Sequence, residues 1–353
     1  MYAEMMLPRL IPALLAAALL LPAEITTERI FGPETKTGPY KHPATIASLD
    51  NGDLLVAYYG GEGEYANDTA VFVARKKAGA RQWSEPRRIA QDPFRSTGNG
   101  VIWQAPDGVV WLFYIVRFGE TWSDSRIAVK ISRDRGETWS DASLLTLERG
   151  WMVRGRPIVL ASGKYLLPIY HETGEDRERV SPDTTSLFMI YDPAAKTWSV
   201  SGRIRSRLGN LQPSPAEIAP NHLLAFCRRG GDYSGQKDGW LVRAESRDGG
   251  LNWGPGVDSD FPNPNSAIEL LQLANGKLVL FYNDSFGQRT PLTAALSEDG
   301  GRTWPVRKVI ASGPNSYAYP SAVQTPDGKI HLVYTSDGRR VVNHAVLTEA
   351  DLR

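Results

Sequence analysis

The sequence has little of several features that would assign it quickly to a class of protein. It has one cysteine, Cys227, among 353 residues, so an intramolecular disulfide is excluded. Its net charge is only +1 and no run of Lys and Arg exceeds three residues. Nucleic acid is therefore not expected as a partner, because phosphate binding needs a concentrated basic surface. The five histidines are scattered without metal-ligand spacing, so we expect no metal and no other cofactor.

Long apolar runs are also scarce, and the one that is present lies near the N-terminus. Residues 10–21 are apolar and follow Arg9. A bilayer span needs about 20 apolar residues, so we predict a signal peptide over residues 1–23, cleaved near Ala23. An uncleaved membrane tether is the alternative. The prediction implies a secreted or periplasmic protein without a membrane span after cleavage, and we expect a monomer with one domain over residues 24–353.

The sequence is rich in a repeat, Ser-x-Asp-x-Gly-x-Thr/Asn-Trp, known as an Asp box. Three intact and two worn copies recur every 51 to 59 residues, and their tryptophans are Trp83, Trp139, Trp198, Trp253 and Trp304. The carboxylate can accept backbone N–H groups within a tight turn, where glycine supplies a positive φ. We therefore expect the aspartates of the intact copies to be structural: Asp134, Asp248 and Asp299.

A second pattern, strand–Gly turn–strand, alternates with the first. It occurs six times, at residues 43–58, 101–114, 157–170, 213–227, 267–282 and 321–334. Asn-Gly and Asp-Gly between apolar runs are strong hairpin signals. Six copies predict an all-β fold, a six-bladed β-propeller of four-stranded antiparallel sheets. Residues 24–30 are expected to supply the outer strand of the last blade and so close the ring.

Polar residues occur at equivalent points of the repeat, next to the predicted inner strands. In a propeller these points converge on the central channel, so we expect a polar funnel there. The candidates in this set are Lys41, His42, Arg156, Gln212, Arg228, Asn265, Tyr317 and Tyr319. The basic stretches 75–77 and 339–340 are instead expected on solvated turns.

With its Asp boxes, the chain resembles the sialidase (neuraminidase) superfamily over residues 30–350. Sialidases hold a sugar carboxylate with three arginines, use a tyrosine nucleophile assisted by a glutamate, and use an aspartate as acid/base. The resemblance implies that Arg228 and Arg289 are two of the arginines and that Tyr319 is the nucleophile. Lys41 stands near the place of the first arginine, and Gln212 takes the place of the glutamate.

No aspartate falls cleanly at the acid/base place of that superfamily. Glu62, Glu64 and Asp68 lie in the loop where it is expected, and Glu62 and Asp68 are our candidates for the role.

Three short segments, 42–46, 263–266 and 317–320, look closer to a branch that includes rhamnose–glucuronate lyases. In that branch a histidine is the key catalytic residue, and the resemblance places His42 there. Elimination next to a uronate would use His42 as base, cations to stabilise the developing charge on the carboxylate, and Tyr319 to protonate the leaving oxygen.

These considerations predict an exported enzyme that cleaves a terminal acidic sugar from an oligosaccharide or polysaccharide. Hydrolysis through Tyr319 and elimination through His42 both remain open. A non-catalytic glycan-binding propeller is a further alternative. A scaffold for protein partners would need an apolar surface patch, of which the sequence gives no sign.

Overall fold

The computed structural model describes residues 25–233 and 237–353 and has the predicted architecture, a ring of six antiparallel sheets. The proposed signal peptide lies outside the described residues and stays a prediction. Within the described part of the chain, no helix is long and apolar enough to cross a membrane.

The strands follow one another in chain order. The N-terminal strand is β1 (Thr26–Phe31), which belongs to the last blade. Blade 1 comprises β2 (Tyr40–Ser48), β3 (Leu54–Gly61), β4 (Ala70–Lys76) and β5 (Arg87–Ala90). Blade 2 comprises β6 (Thr97–Gln104), β7 (Val110–Arg117), β8 (Ser125–Ser132) and β9 (Ser143–Leu144). Blade 3 comprises β10 (Trp151–Val153), β11 (Ile158–Val159), β12 (Tyr165–His171), β13 (Thr185–Asp192) and β14 (Thr197–Val200).

The remaining strands complete the ring. Blade 4 comprises β15 (Asn210–Ala219), β16 (His222–Arg229), β17 (Trp240–Ser246) and β18 (Val257–Pro262). Blade 5 comprises β19 (Glu269–Gln272), β20 (Leu278–Asn283), β21 (Leu292–Ser297) and β22 (Val306–Ala311). Blade 6 comprises β23 (Ala318–Gln324), β24 (Ile330–Ser336) and β25 (Val341–Leu347). Two short 3₁₀ helices lie at Trp122–Asp124 and Ala350–Leu352.

The first strand of each blade lies next to the central axis. Inner strand β2 contacts β6 and β23, and β19 contacts β15 and β23. In blade 3 the inner strand is in two pieces, because β10 and β11 pair with different parts of β12. The second strands are covered on both faces by neighbouring blades, and every residue of β3 is buried. This is why the second strands read as continuous apolar runs rather than alternating ones.

The hairpin turns confirm the predicted local chemistry. In blade 1, Gly52 has a φ of 83°, and the Asn51 side chain accepts the N–H of Asp53 at 3.1 Å. The Asp53 carboxylate in turn accepts a hydrogen bond from Arg75 Nη1 at 2.6 Å. Arg75 is therefore half-buried in an ion pair, and the expectation of a solvated turn was wrong for this residue.

The Asp boxes are connectors, as predicted. Asp134 Oδ1 accepts the backbone N–H of Thr138 at 2.9 Å and the Ser132 hydroxyl at 2.7 Å. Hydrogen bonds from the Thr138 side chain and backbone hold the pKa of Asp134 well below its usual value. A carboxylate used in this way fixes the turn and is far from being a free acid.

The ring is closed by β1, which pairs with β25 in antiparallel register, Thr26 opposite Val346. This confirms the predicted closure. Glu28 of β1 accepts hydrogen bonds from Lys76 at 3.0 Å and from the Trp83 indole at 3.3 Å, both in blade 1. It also lies 2.9 Å from His344 Nδ1 of blade 6. One carboxylate thus joins the first and last blades.

Candidate active site

Four blades carry a non-glycine residue with positive φ at the same point, in or just before the inner strand. The angles are 48° at Asn99, 53° at Gln212, 58° at Asn265 and 57° at Tyr319. L-residues rarely adopt this conformation, which costs roughly 1–3 kcal/mol per residue. In blades 2, 4 and 6 it coincides with a break in strand register, a β-bulge, which redirects a side chain.

The redirected side chains meet at one end of the central channel. A pocket of about 430 Å³, including the open space at its mouth, is lined by Asn99, Gln212 and Tyr319. His42 and Arg228 also line it. The structure therefore brings together residues of blades 1, 2, 4 and 6 that are far apart in the chain.

Arg228, at the end of β16, is the centre of the hydrogen-bond network. Its Nε donates to Asn265 Oδ1 at 2.6 Å, and its Nη1 donates to Gln212 Oε1 at 3.2 Å and to the Tyr319 hydroxyl at 2.7 Å. Its Nη2 donates to the Tyr233 hydroxyl at 3.1 Å. A guanidinium has five N–H donors, so these contacts leave Arg228 with about one donor for a ligand.

Arg289 lies beside the same tyrosine with more of its donors unused. Its Cζ is 5.3 Å from the centre of the Tyr319 ring and 5.6 Å from that of Tyr233. Among the described residues, its side chain has one hydrogen bond, from Nη2 to the main-chain oxygen of Asn265 at 3.2 Å. Arg289 is thus better placed than Arg228 to donate to a ligand carboxylate.

Arg339 is a functional candidate that the sequence analysis missed. It forms an ion pair with Glu64, a pocket-lining residue, and its Nη1 lies 3.4 Å from the Tyr40 hydroxyl. The expectation of a solvated turn was wrong here as well, because the side chain of Arg339 is only 26% exposed. Arg339 could have been identified from its place in the loop after β24, because loops at this end of the other blades also supply polar residues to the site.

The Tyr319 phenol is surrounded by positive charge. Burial raises the pKa of Tyr319, but the guanidinium groups of Arg228, Arg289 and Arg339 outweigh burial and hold that pKa below its usual value. Below the ring, Arg154 lies with its Cζ 5.6 Å from the ring centre. Tyr319 is therefore closer to ionisation than an ordinary tyrosine.

His42 packs edge-on against Tyr319, with ring centroids 4.1 Å apart. Its Nδ1 lies 2.7 Å from Thr335 Oγ1, which donates its own hydrogen to the Ala318 carbonyl at 3.2 Å. In that arrangement Thr335 accepts from His42, and the neutral imidazole has its proton on Nδ1 and its lone pair on Nε2. Burial, followed by nearby arginine charges, lowers the pKa of His42 well below its usual value.

Lys41 does not line the pocket, although we expected it to bind substrate. Its ammonium group donates to the Gly38 carbonyl, and its charged neighbours include Glu34 and Arg340. Successive side chains on a strand point to opposite faces. Since His42 faces the pocket, the adjacent Lys41 faces away.

Glu62 and Asp68, expected to be catalytic, also lie outside the pocket. Both are exposed, and the Asp68 carboxylate accepts the backbone N–H of Glu62 at 3.2 Å. Asp68 thereby stabilises its own loop. Of the acids in this loop, only Glu64 reaches the pocket, where it is paired with Arg339.

Arg156 and Tyr317, two further expected substrate-binding residues, are directed elsewhere. Arg156 lies 3.7 Å from the Glu269 carboxylate and lines a separate depression formed by the other ends of the inner strands. The Tyr317 hydroxyl donates to the Ser312 carbonyl at 3.0 Å. Tyr317 still supports the site, because its backbone N–H donates to the Arg289 carbonyl at 2.7 Å.

Glu172 is a second residue that the sequence analysis did not select. It follows β12 directly and lines the pocket with His42 and Tyr319. Burial raises the pKa of Glu172 to about 7, although the positive charge of Arg228 acts in the opposite direction. Residues 25–233 and 237–353 contain no group of three His, Cys, Asp or Glu side chains that could hold a metal ion.

This fold and this site define a class of protein: a six-bladed Asp-box propeller with buried arginines around a tyrosine at the end of its channel. A family model described as a BNR repeat-like domain matches residues 52–332. The chain belongs to this family, within the sialidase-like propeller superfamily.

The similar proteins include several sialidases. A curated sialidase of Micromonospora viridifaciens is 24% identical over 331 residues, covering 84% of this chain and 49% of that protein. This chain thus spans about half the length of that relative.

Solved structures give the same fold. The Hadza microbial sialidase Hz136 has a TM-score of 0.77 at 16% identity, over 93% of this chain and 69% of that chain. The NanB sialidase of Streptococcus pneumoniae has a TM-score of 0.76 at 14% identity, over 92% and 71%. A Dyadobacter fermentans protein of unknown function has a TM-score of 0.74 at 16% identity, over 91% and 97%. At these identities the likeness concerns the fold alone.

Proposed function

We propose that this protein is an enzyme that cleaves the linkage of a terminal acidic sugar and holds the sugar carboxylate among Arg289, Arg339 and Arg228, above Tyr319. The observation that carries the proposal is the cluster of guanidinium groups around Tyr319, where Arg228 Nη1 lies 2.7 Å from the phenolic oxygen and Arg289 Cζ lies 5.3 Å from the ring centre. Arg228 and Arg289 form no ion pair with an acid among the described residues. Buried charge without a counter-charge is costly, so an anionic ligand is the partner that this pocket favours.

The same charges suit a tyrosine nucleophile. In the first step of hydrolysis the Tyr319 oxygen bonds to the anomeric carbon while the bond from that carbon to the leaving oxygen breaks. The phenol must lose its proton, and the lowered pKa of Tyr319 favours that loss. A nucleophile that is neutral at rest also approaches an anionic sugar with less repulsion than a carboxylate would.

His42 is the candidate acceptor of the phenolic proton, through Nε2. In the free protein, burial and, to a smaller extent, the nearby arginine charges both lower the pKa of His42. A substrate carboxylate would neutralise part of that positive field and thereby raise the pKa of His42. His42 is thus expected to be a stronger base when an acidic sugar is bound.

Uronate elimination is a second candidate, and one observation favours it. The residue hydrogen-bonded to Arg228 from β15 is Gln212, which cannot act as a base, whereas His42 presents an unprotonated nitrogen. In this reaction His42 would take the proton α to the carboxylate, and the arginines would stabilise the charge that develops.

The test is a panel of oligosaccharides that end in sialic acid or in a uronic acid, each paired with its carboxyl-reduced form. We expect the acidic sugar to be released with the addition of water, as measured by product mass, and the reduced forms to be resistant. An unsaturated product that absorbs in the ultraviolet, formed without water, would assign elimination instead. Binding of the acidic glycans without any product would leave a glycan-binding propeller and refute the proposed enzyme.

A further inference from the structure

The hydrolytic step leaves one role unfilled, because a proton must reach the leaving oxygen and the expected acids Glu62 and Asp68 lie outside the pocket. Three carboxyl side chains line the pocket: Glu64, Glu172 and Glu178. Glu64 is paired with Arg339. Glu178 is exposed and accepts a hydrogen bond from the Tyr65 hydroxyl at 3.2 Å.

Glu172 differs from these two acids in its surroundings. Its carboxyl group has neither a hydrogen bond nor an ion pair with any residue in the described part of the chain. Its backbone is held firmly, since its N–H donates to the Gly150 carbonyl at 2.8 Å. Gly150 has a φ of 76°, and its lack of a side chain allows the two backbone segments to pack closely. A Cβ at Gly150 would lie 2.3 Å from the Glu172 main-chain oxygen.

A carboxyl group that is positioned by its backbone, lines a pocket and has no hydrogen-bond partner among the described residues is available to a ligand. A group that is half protonated near neutral pH can both donate and accept a proton, which is the requirement for general acid–base catalysis.

We propose that Glu172 is the general acid that protonates the leaving oxygen and then, as a carboxylate, the base that activates water. In the first step the Glu172 proton passes to the leaving oxygen as the glycosidic bond breaks, and Tyr319 bonds to the anomeric carbon as its phenolic proton passes to His42. In the second step water attacks that carbon and gives one proton to Glu172, while the bond to the Tyr319 oxygen breaks and His42 returns its proton to the phenolate. Both steps balance without any further reactant. The inference rests on the proposed function.

The test compares Glu172→Gln with the wild-type protein on two substrates that carry the same acidic sugar. One substrate has a sugar as leaving group, and the other has a nitrophenol, which departs without protonation. With the sugar leaving group we expect kcat to fall by roughly 10²–10⁴-fold with little change in KM. With the nitrophenol leaving group the loss in the first step should be much smaller, as seen in the burst of nitrophenol release.

The pH profile provides a second measurement. Wild-type kcat/KM should decline above a pH of about 7, where Glu172 loses its proton. This alkaline limb should be absent in Glu172→Gln. Glu175→Gln is the matched control, because Glu175 is an exposed acid in the same loop, and it should keep both wild-type rates and the limb.

The outcomes separate the two proposals. If the wild-type protein cleaves the substrates and Glu172→Gln loses activity equally for both leaving groups, or keeps the alkaline limb, Glu172 is not the acid and the proposed function stands. If the wild-type protein cleaves no acidic glycan, both proposals are refuted. An unchanged thermal unfolding midpoint of Glu172→Gln would exclude misfolding as the cause of a loss.

Discussion

The Arg228 guanidinium donates a 2.7 Å hydrogen bond to the Tyr319 hydroxyl, although the two residues lie 91 positions apart. The bond orients the phenolic oxygen and places a positive charge beside it. Because the phenolic oxygen accepts this bond from a positively charged donor, the bond stabilises the phenolate and so favours the deprotonated form of Tyr319. Position and ionisation of this oxygen are therefore controlled by the same contact.

Replacement of Tyr319 by Phe should abolish turnover while leaving binding of an acidic sugar largely intact. The variant keeps the aromatic ring but lacks the proposed nucleophile, so we expect kcat to fall by at least about 10³-fold. Calorimetry with a non-hydrolysable acidic analogue should show a Kd within about tenfold of wild type. Tyr317→Phe is the matched control, since its hydroxyl contacts Ser312 outside the pocket. Comparable losses in both variants would contradict the role given to Tyr319.

Arg289→Ala should weaken the binding of carboxylated substrates and of those alone. Charge-assisted hydrogen bonds contribute about 1.5–3 kcal/mol, so KM should rise by roughly 10- to 100-fold. Arg247→Ala serves as the control, because this arginine is 75% exposed and paired with Glu245. An equal loss of affinity for a carboxyl-reduced analogue, measured by calorimetry, would show that Arg289 does not bind the carboxylate.

The architecture could be predicted because its signals are local. Each hairpin turn and each Asp box lies within a few consecutive residues, and the period alone gives the number of blades. The arrangement of Gln212, Asn265 and Tyr319 could also be anticipated from their equivalent places in the repeat. Their positive φ angles give the physical basis of the pattern, because this backbone conformation turns one side chain to the axis.

The rest of the site depends on features that a repeat does not encode. Glu172 reaches the pocket, and Arg339 reaches the pocket-lining Glu64, from loops after second strands, and the paths of such loops are set by tertiary contacts. Lys41 was misplaced by a single residue, and on a strand that distance reverses the direction of the side chain. Arg156 was misplaced because the inner strand of blade 3 is interrupted between β10 and β11, and this break carries Arg156 toward the other end of the channel.

His42→Ala should remove turnover but not binding, because His42 is assigned to proton transfer rather than to the carboxylate. Thr335→Val tests the tautomer separately. Valine cannot accept the Nδ1 proton, so the Nε2 lone pair is no longer enforced, and kcat should fall by about tenfold without a change in KM, as for the loss of one buried hydrogen bond. Initial rates and analogue binding would be measured on both variants. Unchanged turnover in His42→Ala would end its candidacy as a base in either reaction.

The closing blade should make stability depend on pH through a pair of histidines. His331 Nδ1 lies 3.0 Å from His344 Nε2, and His344 Nδ1 lies 2.9 Å from Glu28. His344 can donate to Glu28 and still accept from His331 only if the His344 ring is neutral. Burial, followed by the neighbouring His344, lowers the pKa of His331 from 6.5 to about 4. The other charged groups acting on His331 are Asp327, Lys329 and Lys76.

The sign of the effect follows from linkage. The unfolded state binds a proton at His331 more readily than the native state does. The stabilising contribution of the neutral His331 is therefore complete above a pH of about 6.5 and is lost as the pH falls toward about 4. The loss is at most about 3 kcal/mol, and less after solvent screening. Denaturant unfolding at several pH values in this window should show a free energy of unfolding that decreases as the pH falls. The decrease should be smaller in His331→Gln, since the other histidines are common to both proteins, and an identical slope in the two would refute this origin.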